Sequence, residues 1–262
     1  MSLDAITTKV AHTGANELRF YGHRVFAELL GRTSVAQMLV LGISGTLLDD
    51  DARMVIDDVV TVMSSADPRM WPFKIARLAS SHGVAAYGTA VSLIAAEGGM
   101  FGANRMRAAA MWLIALEEQT RGRELADPEL LAILDRGGAG FGVLYRSRDE
   151  RFEALVRQME RRGRLHGRHM ALCSRAVDLG RAERKLEPHV FLAIAAICLD
   201  LGLSVDATAA FATILLFHDA LANAVEGAAQ MPDALRVLPA RCLSYNGKSK
   251  RISPRAARAS LR

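Results

Sequence analysis

Residues 136–151 read Arg-Gly-Gly-Ala-Gly-Phe-Gly-Val-Leu-Tyr-Arg-Ser-Arg-Asp-Glu-Arg. Glycines at 137, 138, 140 and 142 stop a helix arriving from the N-terminal side, because glycine reaches left-handed backbone angles at no steric cost. Beyond the turn, Arg146, Arg148 and Arg151 alternate with Asp149 and Glu150. Those arginines read either as exposed salt-bridge partners or as forks for an anionic ligand, since a guanidinium presents paired N–H donors to a carboxylate or phosphate.

On both sides of this turn the apolar residues recur at spacings of three and four, which predicts helices over 25–30, 34–42, 50–64, 72–81, 84–96, 104–120 and 128–135. The second half continues with 148–161, 167–181, 188–201, 205–227 and 232–238. Asp127 and Pro128 suit an N-cap and a first turn, and Pro188 repeats the proline placement. Strand signals are nearly absent, so the predicted class is all-α.

Five windows resemble the citrate synthase and citryl-CoA lyase superfamily. Gly140, Phe141 and Gly142, followed by Tyr145, Arg146, Asp149 and Arg151, are similar to the family loop Gly-Phe-Gly-His-Arg-Val-Tyr-Lys and its later Asp-Pro-Arg. The loop here is one residue shorter, and its histidine is gone whether Gly142, Val143 or a gap takes the place. Upstream, Tyr21-Gly22-His23-Arg24 through Gly31-Arg32-Thr33-Ser34 and Gly45 resemble the family's N-terminal segment, and residues 97–104 (Glu-Gly-Gly-Met-Phe-Gly-Ala-Asn) resemble Gly-Pro-Leu-His-Gly-Gly-Ala-Asn. Glu187-Pro188-His189-Val190-Phe191 falls on Tyr-Pro-Asn-Val-Asp, and Pro239, Arg241, Tyr245 and Gly247 fall on a tail of Arg-Pro-Arg-x-x-Tyr-x-Gly. The short chain suits the citryl-CoA-lyase-like branch.

The resemblance implies a citrate-synthase-like multi-helix fold: a large helical domain at 1–104 and 191–247 forming a dimer core, a smaller helical subdomain at 105–190 carrying the substrate loop, and a basic tail at 248–262. It also implies that the catalytic groups are substituted. The base position holds Phe191, the enol-stabilising histidine becomes Met100, the ketone histidine is lost near Val143, and a late arginine becomes Leu216. Together these either fill the old cavity as core, the reading favoured, or make a dry, apolar pocket for a different acyl group. His189, Tyr145 and Asp67 are the candidate substitutes for acid and base. Arg146, Gly102 and Asn104 fall where the family binds coenzyme A, with the backbone N–H groups at the helix start suited to an anion; Arg151 and Arg241 fall where it holds substrate.

Composition bounds the rest. With 51% hydrophobic and 23% charged residues, the 262-residue chain can bury a large core. Cys173, Cys198 and Cys242 are too few and too scattered for a disulfide frame and read as reduced core thiols, which predicts a cytoplasmic compartment. The start lacks a signal-peptide core, and no stretch reaches about 18 uninterrupted apolar residues, so no membrane span is expected. The charge of +5 gathers in 161–168 and the tail without a nucleic-acid fold or interleaved aromatics, so nucleic acid is not the expected partner. His166 and His169 make too sparse a set for a metal. The resemblance implies two functions: binding of coenzyme A or an acyl-CoA by a degenerate site, as a homodimer or beside an active citrate-synthase-like subunit, or a divergent acyltransferase or lyase acting on a carbon–carbon bond.

Overall fold

The computed structural model describes residues 6–97, 101–120, 123, 125–143, 146–230, 239–249, 251 and 253. Ten α-helices dominate them: α1 (Val35–Ser44), α2 (Asp50–Met63), α3 (Trp71–Ser80), α4 (Ala85–Glu97), α5 (Ala103–Gln119), α6 (Asp127–Asp135), α7 (Glu150–Arg161), α8 (Arg168–Arg184), α9 (Val190–Asp200) and α10 (Val205–Ala228). Each lies where the periodicity predicts it, the largest shift being α8, which runs on to Arg184. The 25–30 segment forms a π-helical turn, Val25–Leu29, and the 232–238 prediction lies outside the described residues.

Local chemistry sets these boundaries. Ser34 and Gln37 cap α1 reciprocally, at 3.2 and 2.9 Å, and Gly45 closes it at φ 75°. Asp49 Oδ1 accepts the Ala52 N–H at 2.7 Å to start α2. The N-cap of α6 is Ala126 rather than Asp127: Glu129 takes the Ala126 N–H at 3.0 Å, and Asp127 moves into the first turn, where its charge still favours the dipole.

Three short strands were not foreseen. Ala11–Thr13, Leu18–Phe20 and His23–Arg24 form an antiparallel sheet in which Ala11 faces Phe20 and Arg19 faces Arg24. Two or three largely exposed residues per strand leave no alternating pattern to read.

The core is built around α9, whose residues Val190 to Leu199 are all buried. A helix apolar on every side can only be enclosed; α5, α7, α8 and α10 pack against it. A second cluster joins α6 and α8 through Leu130, Leu134 and Ala176, and a third joins α3, α4 and α10 through Phe73, Ala96 and Ala220. The predicted domain boundaries at 104/105 and 190/191 fall inside α5 and α9. Helix α10 has a length and mean hydropathy of 1.4 that a membrane span could share, but half of that window is buried in this bundle. Cys173 and Cys198 are buried free thiols, as expected of core residues; Cys242 instead is exposed.

Candidate functional site

The glycine turn and the α9 entrance, far apart in sequence, form one structure. Gly142 donates its N–H to Glu187 O at 2.8 Å, His189 donates its N–H to Gly140 O at 2.8 Å, and Phe141 bridges Pro188. Gly140 sits at φ +95°, and a Cβ there would lie 2.9 Å from Leu192 Cβ, so both the angle and the space require glycine.

This pairing opens one side of a cleft of about 790 Å³. The opposite wall is the loop between α2 and α3, with Ser65, Ala66, Asp67 and Arg69, continued by Met70, Trp71 and Phe101. Val143, Arg146, Asp149, Glu150, Arg151 and His189 complete it. Five of the residues singled out from sequence, Asp67, Val143, Arg146, Arg151 and His189, thus line one cavity of a size that takes a small-molecule ligand.

Asp149 organises the floor. Its side chain is 2% exposed, caps α7, forks onto Arg151 (Oδ1 to Nε 2.8 Å, Oδ2 to Nη2 2.9 Å) and accepts the Val190 N–H at 2.9 Å. Burial by itself would raise its proton affinity, but Arg151 and the Val190 amide overcome this and hold the carboxyl below its ordinary range. Arg151, expected to fork onto a substrate carboxylate, therefore has its fork engaged within the chain.

His189 is the N-cap of α9: Nδ1 accepts the Phe191 N–H at 3.2 Å. That bond assigns the proton to Nε2, which lies 3.9 Å from Asp149 Oδ2. Burial, then Arg105 and Arg151, push the imidazole well below its ordinary value, so it is neutral at physiological pH. The acid–base candidate has spent its one lone-pair nitrogen on a helix, which leaves it a hydrogen-bond donor rather than a base.

Asp67 is held at about 2 by its fork with Arg69, at 3.0 and 2.6 Å. Arg146 pairs with Glu150 at the rim and is more than half exposed. Beneath the floor, Arg105 at the start of α5 donates to Gly142 O. Neither pattern nor motif marked Arg105; only the fold brings it to the glycine turn.

Several expectations are corrected. Phe191 is not a cleft residue but belongs to the central core, its ring edge-on to His189 at 4.9 Å. Leu216 packs in a different cluster, with Phe73 and Phe101. Phe191 and Leu216 thus follow the core reading, and of the four residues Val143 alone lines the cleft among the described residues, so the apolar-pocket alternative is corrected. The helix start at Gly102 and Asn104 is occupied from within, because the Glu97 carboxylate accepts the Ala103 N–H at 2.6 Å and the Asn104 N–H at 3.3 Å. Arg241 is exposed on a 3-10 turn, Ala240–Cys242, and does not line the cleft. Met100, Tyr145 and most of the 248–262 tail lie outside the described residues.

Elsewhere, Arg162 and Arg168 of the basic run are engaged by Asp58 and Glu117. His169 lies between Asp200 and Glu117, and among the described residues no group of three or more His, Cys, Asp or Glu is arranged to hold a metal.

This arrangement of helices matches solved structures over nearly the whole chain. Citryl-CoA lyase from Hydrogenobacter thermophilus superposes with a TM-score of 0.80 at 19% identity, covering 97% of this chain and 99% of that one. The chain has the citrate synthase fold. ATP citrate lyase from Methanothrix soehngenii, in complex with citrate and coenzyme A, gives 0.71 at 17% identity over 95% of this chain, which spans 43% of that protein. Citrate synthase from the archaeon Thermoplasma acidophilum gives 0.59 at 11% identity, over 86% of this chain and 60% of that one. No protein-family model and no curated protein matches the sequence. The citrate-synthase-like fold thus carries a sequence that departs widely from those of its structural neighbours.

Proposed function

We propose that the chain binds coenzyme A or an acyl-CoA in the cleft between the α2–α3 loop, residues 143–151 and the start of α9, without standard citrate synthesis or citryl-CoA cleavage. One observation carries this reading: the ionisable groups described in the cleft are committed to the fold. Asp149 holds Arg151 and the Val190 amide, His189 holds the Phe191 amide, and Asp67 holds Arg69. Proton abstraction needs a base whose lone pair faces substrate. Loss of a general base and of an oxyanion partner costs about a hundredfold or more each. The volume of about 790 Å³ and the rim cations Arg69 and Arg146 support a phosphate-bearing ligand.

The test is isothermal titration with coenzyme A and acetyl-CoA, with Arg146→Ala as the variant. Arg146→Ala should weaken binding about tenfold, which is about 1.4 kcal/mol. No binding at millimolar ligand overturns the proposal. Thiol release from acetyl-CoA with an oxo acid should stay at background, and turnover would favour the second reading.

That second reading is a divergent acyltransferase or lyase. It is favoured by the convergence of Asp149, Arg151, Arg105 and a neutral buried histidine on one floor, because perturbed ionisable groups cluster at catalytic sites. A homodimer is supported by α4, which exposes Tyr87, Val91 and Ile94 on a helix with no charge before Glu97; an active citrate-synthase-like subunit is the alternative partner. The buried free thiols Cys173 and Cys198 support a cytoplasmic setting.

A further inference from the structure

Beside the cleft, and sharing Arg69 with it, a recess of about 380 Å³ lies between α3 and the end of α10. Its polar lining is Arg69, Lys74, Arg77, Ser81 and Gln230, with Leu78 as an apolar wall, and among the described residues no carboxylate lines it. Helical spacing builds most of this surface: Lys74, Arg77, Leu78 and Ser81 stand at i, i+3, i+4 and i+7 on one face of α3.

The position of Arg77 is fixed by close packing. Its guanidinium forks onto Glu226 at 2.5 and 3.0 Å, and α10 approaches so near that a Cβ on Gly227 would lie 2.5 Å from the Arg77 carbonyl oxygen. Glu226 balances Arg77 and Asp67 balances Arg69, both from outside the recess. Lys74 forms no ion pair among the described residues, so one positive charge in the recess has no counter-charge among them.

We propose that this recess binds a phosphate ester, the phosphate or diphosphate of a small organic molecule, and that its occupancy is felt in the cleft through Arg69. Guanidinium, ammonium, hydroxyl and amide groups all donate, and phosphate oxygens accept only. The volume exceeds that of one phosphate, and Leu78 offers contact to the carbon part. Arg69 can fork onto Asp67 or onto the ligand, but not both ways at once. Turning it to the recess bares the Asp67 carboxylate in the cleft wall and disfavours an anion there, and the coupling is reciprocal for the two ligands.

The experiment is titration of inorganic pyrophosphate into the full chain at constant ionic strength, with Lys74→Glu and Arg157→Glu compared. Both residues are exposed and both changes remove the same charge, Arg157 from the middle of α7. Lys74→Glu should bind pyrophosphate at least about tenfold more weakly than the parent, and Arg157→Glu within about twofold of it. Equal weakening by both would reveal general attraction to a basic chain and overturn the proposal, as would no binding up to about 10 mM. Pyrophosphate binding that Arg146→Ala abolishes and Lys74→Glu spares would put the anion in the main cleft and overturn it too. This comparison uses no coenzyme A, so its outcome is independent of the function proposed for the cleft. Where coenzyme A does bind, saturating pyrophosphate should weaken it in the parent and not in Lys74→Glu.

Discussion

Replacing Asp149 by alanine should destabilise the protein by about 3–4 kcal/mol. The side chain is 2% exposed and accepts from Arg151 Nε at 2.8 Å, from Arg151 Nη2 and the Val190 N–H at 2.9 Å each, and from the Arg151 N–H at 3.3 Å. Losing an N-cap costs about 1 kcal/mol, orphaning a buried amide about 1–3, and removing one partner of a buried pair about 3–5. These overlap, and Arg151 is 20% exposed, so water relieves part of its loss and the lower half of the range applies. Against a total stability of about 5–15 kcal/mol, the change is large. In a chain of this size it corresponds to a fall in Tm of about 10 °C. Urea unfolding followed by far-UV circular dichroism measures it directly. Asp149→Asn should cost less, because an amide oxygen can still accept the Val190 N–H. A loss below about 1 kcal/mol for Asp149→Ala, with an unchanged slope against urea, would refute the reasoning. The pH dependence has a fixed sign: the native carboxyl is held below its ordinary value, so its contribution is whole above the ordinary carboxylate range and is lost as the pH falls toward the depressed native value.

His169 should act in the opposite direction. Asp200 at 2.9 Å, opposed by burial and aided by Glu117 at 3.0 Å, raises its proton affinity above 6.5, so the imidazolium contributes fully below that value and its contribution is lost as the pH rises through the native one. His169→Gln should flatten the fall in urea midpoint that the parent shows above about pH 6.5, and parallel curves for the two proteins would count against this. Gly227→Ala should cost about 1–3 kcal/mol, because its Cβ would lie 2.5 Å from the Arg77 carbonyl oxygen and α3 and α10 would have to part; an unchanged melting temperature would show that the two helices yield freely.

The sequence by itself determined the helices and the all-α class, and the resemblance of its windows pointed to the citrate-synthase-like fold. Amphipathic spacing, capping residues such as Ser34 and Asp49, and glycine stops are local signals, and local hydrogen bonding answers to them directly. It also drew attention to Asp67, Val143, Arg146, Arg151 and His189 of the cleft, through the resemblance to citrate synthases. The three strands near the N-terminus were illegible because two or three exposed residues carry no period.

What each cleft residue does is decided by the folded structure, through local pairings and long-range contacts together. Whether Arg151 is open to a ligand depends on Asp149 and on the Val190 amide, which the packing of α7 on α9 brings together. His189 is no base because its Nδ1 caps α9, and the helix start at Gly102 and Asn104 is closed to an anion by the Glu97 carboxylate. Arg105 reaches the glycine turn only because α5 packs against α9. Side-chain identity is read from the sequence, whereas charge state, accessibility and free hydrogen-bonding capacity depend on the backbone conformation that lets near neighbours such as Asp149 and Arg151 pair, and on burial and distant contacts such as the Val190 amide, all of which exist only once the chain has folded.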